Sequence, residues 1–306
     1  MEDFKTDILL ESGTNELGIM EFTIDGHLFG INVAKVSEIM TYCPVTPMQN
    51  AHPAIEGVFK PRDILMTVIN LPKYLHLPER ENTEKDIFII ADFNNMRVAF
   101  HVNSVVGINT ISWESISKPD KTIYGGDEGV ATGIAEYEGR LITILDFEKI
   151  VTDISPESGI KVSDLDYLGE RSRNDYPILI AEDSMLLSKL ILESLKKAGY
   201  VNVTATNNGK EAWDYLCEAK EHNEVAQHAA CLITDIEMPQ MDGHRLIKLI
   251  RDDSELKNIP IIVFSSLINE EMKVKGKELG ADEQISKPEI AKLVSIIDRL
   301  VLNRKE

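Results

Sequence analysis

The sequence predicts two domains of different fold class, an all-β first half followed by an α/β second half. With 306 residues and 43% hydrophobic content, the chain can build two ordinary hydrophobic cores. Hairpin patterns recur through the first half, whereas buried-strand runs alternate with helical patterns in the second. We therefore expect residues 1–152 to form a β-barrel or sandwich, residues 153–175 a linker, and residues 176–306 a doubly wound parallel sheet.

Each predicted hairpin consists of alternating apolar and polar residues around a short turn. An alternating run over residues 18–31 surrounds Asp25-Gly26, and similar runs surround Asn94-Asn95 and Glu138-Gly139. Gly, Asn and Asp tolerate the positive backbone angles that tight hairpin turns require. Repeated hairpins of this kind are typical of barrels and sandwiches.

Three continuous apolar runs in the second half predict strands that are covered on both faces. They lie at Ile178–Ala181, Cys231–Thr234 and residues 261–264. A helix follows the first run, with Ser184 as its N-cap and Gly199 after its end. Strands that alternate with helices in this way indicate a parallel sheet with helices on both faces.

The predicted linker is rich in Ser, Asp, Glu and Gly and lacks a sustained hydrophobic period. Within it, Val162, Leu165 and Leu168 would share one face of a single amphipathic turn. We therefore expect part of the linker to dock on a domain surface.

Composition and charge argue against several classes of protein. No apolar run approaches the roughly 20 residues of a membrane helix, and the acidic N-terminal segment argues against a secretory signal. Cys43, Cys217 and Cys231 lack paired spacing, so we expect reduced thiols and a cytoplasmic location. A net charge of −19 without a basic cluster argues against nucleic-acid binding.

Three acidic residues follow two of the predicted buried strands. Glu182 and Asp183 come after the first strand, and Asp235 comes after the strand that ends at Thr234. Side chains at the carboxyl ends of neighbouring parallel strands converge on one crevice. Because crowded carboxylates repel one another, such a site favours a hard divalent cation, above all Mg²⁺. The alternative is that each acid is an ordinary solvated residue at the end of a strand.

Two further strand ends add complementary groups. Ser265 supplies a hydroxyl, and Lys287, followed by Pro288, supplies a fixed positive charge. Phosphoryl transfer to a carboxylate needs an acceptor held in line and cations that offset the charge of the phosphoryl oxygens. The joint spacing of these residues therefore favours phosphorylation of an aspartate over a chance set of surface acids.

The second half resembles the CheY-like receiver domains of two-component systems from residue 176 to the C-terminus, which implies a five-stranded parallel sheet. The segments that carry the resemblance are Ile178-Leu-Ile-Ala-Glu-Asp-Ser184, Ile233-Thr-Asp-Ile-Glu-Met-Pro-Gln-Met-Asp-Gly243, Pro260-Ile-Ile-Val-Phe-Ser-Ser266 and Gly280-Ala-Asp-Glu-Gln-Ile-Ser-Lys-Pro288. By this resemblance, Asp235 is the phosphorylated residue. Mg²⁺ would be held by the side chains of Glu182, Asp183 and Asp235 and by the backbone carbonyl of Glu237.

The same resemblance assigns Ser265 and Lys287 to contacts with the phosphoryl group and places a cis peptide before Pro288. The chain departs from the receiver pattern at two places. Gln284 stands where receivers often carry an aromatic residue that moves on phosphorylation. The segment 218–230 is longer than the corresponding segment of a typical receiver, which suggests an extended second helix or a longer loop.

The first half resembles CheW, the coupling protein of chemotaxis, over residues 17–152, which implies two five-stranded SH3-like barrels. The segments that carry this resemblance are residues 22–31, 36–39, 53–71 and 141–147. Arg62 lies on the central segment and is the candidate for partner binding, with an ion pair inside its own domain as the alternative. Lys60-Pro-Arg-Asp63 replaces the usual Asn-Leu-Arg-Gly, so the local backbone is expected to differ.

Other groupings of reactive residues are less convincing. The first half shows no Ser/His/Asp set, phosphate loop or metal-spaced cluster, so we expect no chemistry there. Cys217, His222, His228 and Cys231 are zinc-binding residue types, but they lack the short paired spacing of structural sites.

Together the two resemblances indicate a chemotaxis coupling protein of the CheV type. They imply that it connects methyl-accepting chemoreceptors to the histidine kinase CheA at membrane-associated arrays, without inserting into the membrane itself. Phosphorylation of Asp235 would adjust this coupling as a form of adaptation. Two alternatives remain: a sink that drains phosphoryl groups from CheA, and a phosphohydrolase that uses an aspartyl phosphate. As an adaptor or as a sink, the protein would not be an enzyme. Its receiver would catalyse only its own phosphorylation and slow dephosphorylation.

Overall fold

The computed structural model describes residues 15–93, 96–117, 129–156, 159–160, 165, 171–268 and 270–302. The chain divides into two compact units, residues 16–156 and residues 157–306. The first unit is built almost wholly of β-strands and the second alternates strands with helices, which confirms both predicted fold classes. Within the described ranges, no helix combines the length and the apolar character needed to cross a bilayer.

In its described residues, the first unit contains two β-sheets and two short α-helices. One sheet has the strand order β8-β1-β2-β11-β10-β9 and the other has the order β3-β6-β7-β5-β4. The first sheet has six strands instead of five because the two-residue strand β9 pairs with β10. The elements are β1 (Glu16–Ile24), β2 (His27–Asn32), β3 (Val36–Thr41), β4 (Ile55–Phe59), β5 (Met66–Asn70), α1 (Leu71–Tyr74), β6 (Ile87–Phe93), β7 (Met96–Val102), β8 (Ser104–Ser112), β9 (Ile116–Ser117), β10 (Ala131–Tyr137), β11 (Arg140–Leu145) and α2 (Phe147–Ile154).

Two of the predicted hairpin turns are confirmed by their backbone angles. Asp25 and Gly26 have φ values of 48° and 78°, and Glu138 and Gly139 have φ values of 50° and 73°. Two consecutive positive φ values give a turn whose twist matches that of the flanking antiparallel strands. The third predicted turn, Asn94-Asn95, lies outside the described residues.

Aromatic side chains form the centre of the first unit's core. Phe22, Phe100 and Phe147 are fully buried, and the rings of Phe100 and Phe147 meet edge to face with centroids 4.5 Å apart. Phe147 is the first residue of α2, whose N-cap is the Asp146 carboxylate accepting from the Lys149 backbone N–H. The cap and the buried apolar face together hold α2 against the sheets.

The second unit has a five-stranded parallel sheet with the order β13-β12-β14-β15-β16, which confirms the predicted doubly wound architecture. The peptide bond between Lys287 and Pro288 is cis, as the receiver resemblance predicts. The elements are β12 (Ile178–Ala181), α3 (Met185–Lys197), β13 (Val203–Thr206), α4 (Gly209–Glu221), α5 (Val225–His228), β14 (Cys231–Thr234), α6 (Gly243–Asp252), β15 (Ile261–Ser265), α7 (Glu270–Leu279), β16 (Glu283–Ser286) and α8 (Ile290–Ile297).

Helices cover both faces of this sheet, which explains why its central strands are apolar throughout. Along β12, Ile178 and Ile180 join the core beneath α3 and α8. Leu179 and Ala181 point to the opposite face and join the core beneath α4 and α6. Because neither face meets water, the strand shows no alternation of apolar and polar residues.

Part of the predicted linker packs onto the second unit. Leu165 is buried in the core beneath α3 and α8, which confirms the expected docking at this residue, and Ile160 is buried beside it. Arg171 donates hydrogen bonds to the Ala198 carbonyl at 2.9 Å and to Asp298 at 2.5 Å. Val162 and Leu168 lie outside the described residues, and the predicted boundaries at 152 and 176 stay predictions.

The long segment after the second receiver helix has a simple structural explanation. Helix α4 continues to Glu221, and the additional four-residue helix α5 (Val225–His228) follows before β14 begins. The extra residues therefore form both a longer helix and an additional short one.

The aromatic core predicts a large effect of truncating Phe147. Replacing Phe147 by Ala leaves a cavity in the first unit and should lower its free energy of unfolding by about 3–5 kcal/mol. Urea unfolding followed by Trp113 fluorescence, in a chain carrying Trp213→Phe, measures this unit. Leu141→Ala is the control because Leu141 is 66% exposed, and it should change the free energy by less than about 0.5 kcal/mol. Equal effects of the two substitutions would contradict the assignment of Phe147 to the core.

Candidate functional site

The candidate site lies at the carboxyl edge of the parallel sheet in the second unit. Residues that end or follow neighbouring strands meet there because Ala181 is level with Thr234 and Ser265 is level with Ser286. Each of these strands therefore delivers the next residue of the chain to the same edge. The delivered side chains are Glu182, Asp183, Asp235, Ser265 and Lys287.

The structure brings together the three acids that the sequence placed at this edge. One ligand oxygen from each of Glu182, Asp183 and Asp235 lies within 4.8 Å of the others. Glu182 and Asp235 are 3% and 7% exposed, whereas Asp183 is half-buried and leaves the cluster accessible on one side. Two buried carboxylates at this distance require positive charge nearby.

Lys287 supplies positive charge to the cluster from inside the protein. Its ammonium group donates to Asp235 Oδ2 at 2.8 Å and lies 2.7 Å from Glu182 Oε2. Burial raises the pKa of Glu182 to about 8, with Asp235 and Asp183 adding to the increase and Lys287 opposing it. A further cation beside the three acids would oppose this increase as Lys287 does, so the cluster favours one.

Backbone groups fix the orientation of the two buried carboxylates. Asp235 Oδ1 accepts a hydrogen bond from the Ile236 N–H at 2.6 Å, so the Asp235 carboxylate is held from both ends. Glu182 Oε1 accepts from the Ser184 N–H at 3.2 Å. An acceptor held in one orientation loses less entropy when it reacts than a freely rotating side chain.

The remaining receiver residues lie at the same edge. Ser265 is fully buried at the end of β15, where its Oγ accepts from the Leu267 N–H at 3.3 Å and its carbonyl accepts from the Lys287 N–H at 3.1 Å. Glu237 is half-buried in the loop after β14. Their contacts with a phosphoryl group and a metal ion stay predictions.

Gly243, at the end of the receiver-like segment that carries Asp235, allows α6 to begin next to that residue. A Cβ atom at this residue would lie 2.0 Å from the backbone carbonyl oxygen of Asp235. Helix α6 can therefore begin against the acceptor segment only with glycine at its first position. The signal in the sequence was Asp242 directly before it, since the Asp242 carboxylate caps α6 by accepting from the Arg245 N–H at 2.7 Å.

Gln284 occupies the position where receivers often have an aromatic residue. Its Nε2 donates to the Lys273 carbonyl of α7 at 2.7 Å. A Cβ atom at Gly276 would lie 2.4 Å from Gln284 Oε1, so the absence of a side chain on that helix creates the space for the amide. The side chain at 284 therefore lies against α7 in this structure.

Arg62 occupies an exposed turn between β4 and β5 in the first unit. Its backbone is left-handed, with φ 47° and ψ 43°, and Asp63 follows with φ 70°. Asp63 stands where the CheW pattern has Gly, the residue that adopts this conformation most readily. The guanidinium forms an ion pair with Glu38 at 2.8 Å, and its side chain is 79% exposed. The predicted alternative, an ion pair within the domain, is therefore present, and partner binding stays a prediction.

The zinc-type residues of the second unit do not form a metal site. Among the described residues, the acids Glu182, Asp183 and Asp235 are the one group with ligand atoms close enough to share a metal ion. His228 instead bonds to the Tyr215 hydroxyl at 2.8 Å.

Comparison with known proteins assigns a family to each unit and to the whole chain. The CheW-like domain family matches residues 18–155, and the response regulator receiver domain family matches residues 178–298. The chemotaxis protein CheV2 of Helicobacter pylori is 30% identical over 292 residues, which cover 90% of each chain. The chain belongs to the CheV family. The CheV3 protein of the same organism is 27% identical over 300 residues, covering 94% of this chain and 95% of that one.

The first unit also has relatives that consist of the coupling domain alone. The chemotaxis protein CheW of Thermotoga maritima is 26% identical over 151 residues, which cover 49% of this chain and 98% of that protein. As a member of the CheV family, the chain is a chemotaxis adaptor with a phosphorylatable receiver domain. Adaptors of this kind are not enzymes in the usual sense.

The acid cluster of this CheV receiver fits a hard divalent cation. Its donors are all oxygen atoms, they lie within 4.8 Å of one another, and half-buried Asp183 leaves access for water ligands. Mg²⁺ prefers a few carboxylate oxygens and retains several waters. The residues that would hold it are Glu182, Asp183 and Asp235.

The close approach at Gly243 predicts a specific loss in the receiver. Gly243→Ala should displace α6 from the acceptor segment, lower the melting temperature of the second unit by several degrees, and reduce phosphorylation of the chain. Lys248→Ala in the same helix is the control because Lys248 is exposed, and it should behave like the wild type. Thermal unfolding and phosphate incorporation check both substitutions. A Gly243→Ala chain with unchanged stability would show that the predicted contact does not form.

Proposed function

We propose that this protein couples methyl-accepting chemoreceptors to the histidine kinase CheA and that phosphorylation of Asp235 adjusts the coupling. The observation that carries the proposal is the Asp235 carboxylate, buried among two further acids and held by Lys287 at 2.8 Å. The same chain carries a complete CheW-like domain, which supplies a surface for receptors and kinase. Feedback from kinase to adaptor through Asp235 would act as adaptation.

The phosphorylation step is a displacement at phosphorus. One carboxylate oxygen of Asp235 attacks the phosphohistidine of the kinase, and a P–O bond forms as the P–N bond breaks. The imidazole leaves with the electron pair and takes up a proton from solvent. Lys287 is close enough to the acceptor to offset charge on the transferred group.

Other groups at the sheet edge complete the proposed site. The side chains of Glu182, Asp183 and Asp235 and the carbonyl of Glu237 would hold Mg²⁺, which would supply positive charge to offset the phosphoryl oxygens. Ser265, on the neighbouring strand, contributes a hydroxyl group. The doubly charged product attracts cations more strongly than the free carboxylate, so it can favour one conformation of the surrounding loops over another.

The proposed partners and location follow from the first unit. Arg62 presents a guanidinium group on an exposed turn, where it can exchange Glu38 for an acidic group on the kinase or a receptor. An exposed pair of this kind contributes about 0–1 kcal/mol, so exchanging it costs little. The protein would act in the cytoplasm, at membrane-associated receptor arrays, without membrane insertion or nucleic-acid binding.

One observation favours a second function, in which the receiver drains phosphoryl groups from CheA. Gln284 replaces the aromatic residue that often reports phosphorylation in receivers, and its amide is bonded to α7. A receiver that takes phosphate without transmitting a structural signal would act as a sink. The two functions differ in what the adaptor does once Asp235 cannot be modified.

Asp235→Asn should abolish phosphorylation by phosphorylated CheA. Asn preserves the shape of the side chain but is a poor nucleophile, so radiolabel should fall to background. Wild-type chain in excess EDTA should also remain unlabelled, and Mg²⁺ should restore the label. Asp252→Asn is the control because Asp252 is exposed at the end of α6, and it should be labelled like the wild type. Labelling of the Asp235→Asn chain would contradict the assignment of Asp235 as the phosphorylated residue.

The same substitution separates the adaptor from the sink. In a reconstituted array of receptor and CheA, the proposed function requires Asp235→Asn to support kinase activation at a fixed level that no longer responds to phosphorylation. If the receiver is only a sink, the wild type and Asp235→Asn should couple receptors to CheA equally well. Other regulators phosphorylated by CheA should then keep their phosphate longer with the variant than with the wild type.

Arg62→Ala tests the proposed partner surface. It should leave the urea midpoint of the first unit unchanged, because the lost ion pair is exposed, yet weaken kinase binding or activation by roughly tenfold. Arg97→Ala is a matched control, since Arg97 also forms an exposed ion pair, with Asp92 at 2.7 Å. If Arg62→Ala instead lowers stability and leaves coupling intact, Arg62 is a structural residue.

A further inference from the structure

The first unit contains a polar cavity that the coupling function does not require. Its volume is about 240 Å³, and its lining includes Glu56 of β4, Asp86 before β6 and His101 of β7. Asp86 and His101 are 1% and 3% exposed. Ionisable groups this deeply buried occur in proteins only when they are paired or bind something.

His101 is held between two carboxylates. Its Nδ1 lies 2.7 Å from Glu56 Oε2, and its Nε2 lies 3.0 Å from Asp86 Oδ2. A neutral imidazole has one N–H, so only the imidazolium can donate to both acids. Burial alone would lower the pKa of His101, but its hydrogen bonds and charge attraction to Glu56 and Asp86 outweigh burial and raise that pKa.

One oxygen of the Asp86 carboxylate accepts no hydrogen bond from the described residues. Oδ2 accepts hydrogen bonds from His101 Nε2 at 3.0 Å and from the Asn103 side-chain amide at 3.4 Å. Oδ1 is buried and accepts no hydrogen bond from any residue that the structure describes. Arg80 Nη1 forms an ion pair with Oδ1 at 3.6 Å, which is too long for a hydrogen bond. A buried carboxylate oxygen at the wall of a cavity therefore lacks a donor, which costs free energy.

Charges around the cavity define the kind of ligand that would supply this donor. The lining contains the buried or half-buried acids Asp86 and Glu56 and the exposed basic residues Arg80 and Lys73. Glu79 also lies in the lining, and its Oε2 accepts from the Asn70 amide at 3.0 Å. A buried carboxylate oxygen that accepts no hydrogen bond from the described residues favours a ligand with a positively charged N–H donor.

We propose that this cavity binds a small molecule with a primary ammonium group, which donates to Asp86 Oδ1. The volume lies below the about 300–1,000 Å³ of pockets for drug-sized ligands, so the ligand is small. Zwitterionic amino acids and simple amines share the ammonium group. An amino acid would in addition direct its carboxylate towards Arg80 and Lys73.

Calorimetric titration of the full chain with three probes of matched size tests the proposal. L-Alanine and propylamine carry the ammonium group, whereas propionate does not. Both ammonium probes should bind with dissociation constants of roughly millimolar or below, and propionate should not bind. Tighter binding of L-alanine than of propylamine would identify an amino acid as the ligand class, and equal binding would identify an amine.

Two substitutions locate the binding. Asp86→Asn removes the negative charge of the acceptor and should weaken the binding of both ammonium probes at least tenfold. Circular dichroism checks that this variant is folded. Arg80→Gln changes a half-exposed residue, so folding is preserved, and it removes the cation that competes for Asp86 Oδ1. This variant should bind propylamine several-fold more tightly. Arg97→Gln, outside the cavity lining, is the control and should bind like the wild type.

The proposal is overturned if neither ammonium probe binds the wild-type chain. It is also overturned if the propylamine affinity is the same in the wild type, Asp86→Asn and Arg80→Gln. In either case an ordered water molecule is the simpler donor to Asp86 Oδ1.

Discussion

The receiver depends on one electrostatic constraint, the placement of a single ammonium group among buried carboxylates. Lys287 contacts both Glu182 and Asp235, and all three side chains are almost fully removed from water. Desolvation of two acids is costly, and one internal cation offsets only part of that cost. The site therefore retains a net demand for positive charge, which suits the binding of a hard divalent cation.

The fold supplies that constraint through backbone geometry. Parallel strands in close register bring Glu182, Asp235 and Lys287 to one edge, although more than a hundred residues separate the first from the last. Gly243 then allows α6 to start in contact with the carbonyl of Asp235. The acid cluster is thus held on rigid elements, while loops surround it, an arrangement that positions an acceptor accurately.

The sequence predicted which side chains meet at the end of the receiver sheet because its signals are local. Each functional residue directly follows or ends an apolar strand run, so chain position alone implied which edge it occupies. The cavity of the first unit was not predicted for the opposite reason. Glu56, Asp86 and His101 are spread over 45 residues without a repeating interval, and strand pairing alone brings them together. The turn at Arg62 was predicted in part. Pro61 and Asp63 indicated an unusual backbone, but nothing in the sequence indicated the ion pair between Arg62 and Glu38.

The contact between Gln284 and α7 has a thermodynamic consequence. The amide gains one hydrogen bond, to the Lys273 carbonyl, worth about 0.5–1.5 kcal/mol. Its buried Oε1 accepts none from the described part of the chain, which costs about 1–3 kcal/mol. The cost equals or exceeds the gain, so this side chain adds little or no net stabilisation to the contact between α7 and the sheet. The attachment of α7 therefore depends on apolar side chains such as Met272, which is 2% exposed, and not on the polar side chain at 284.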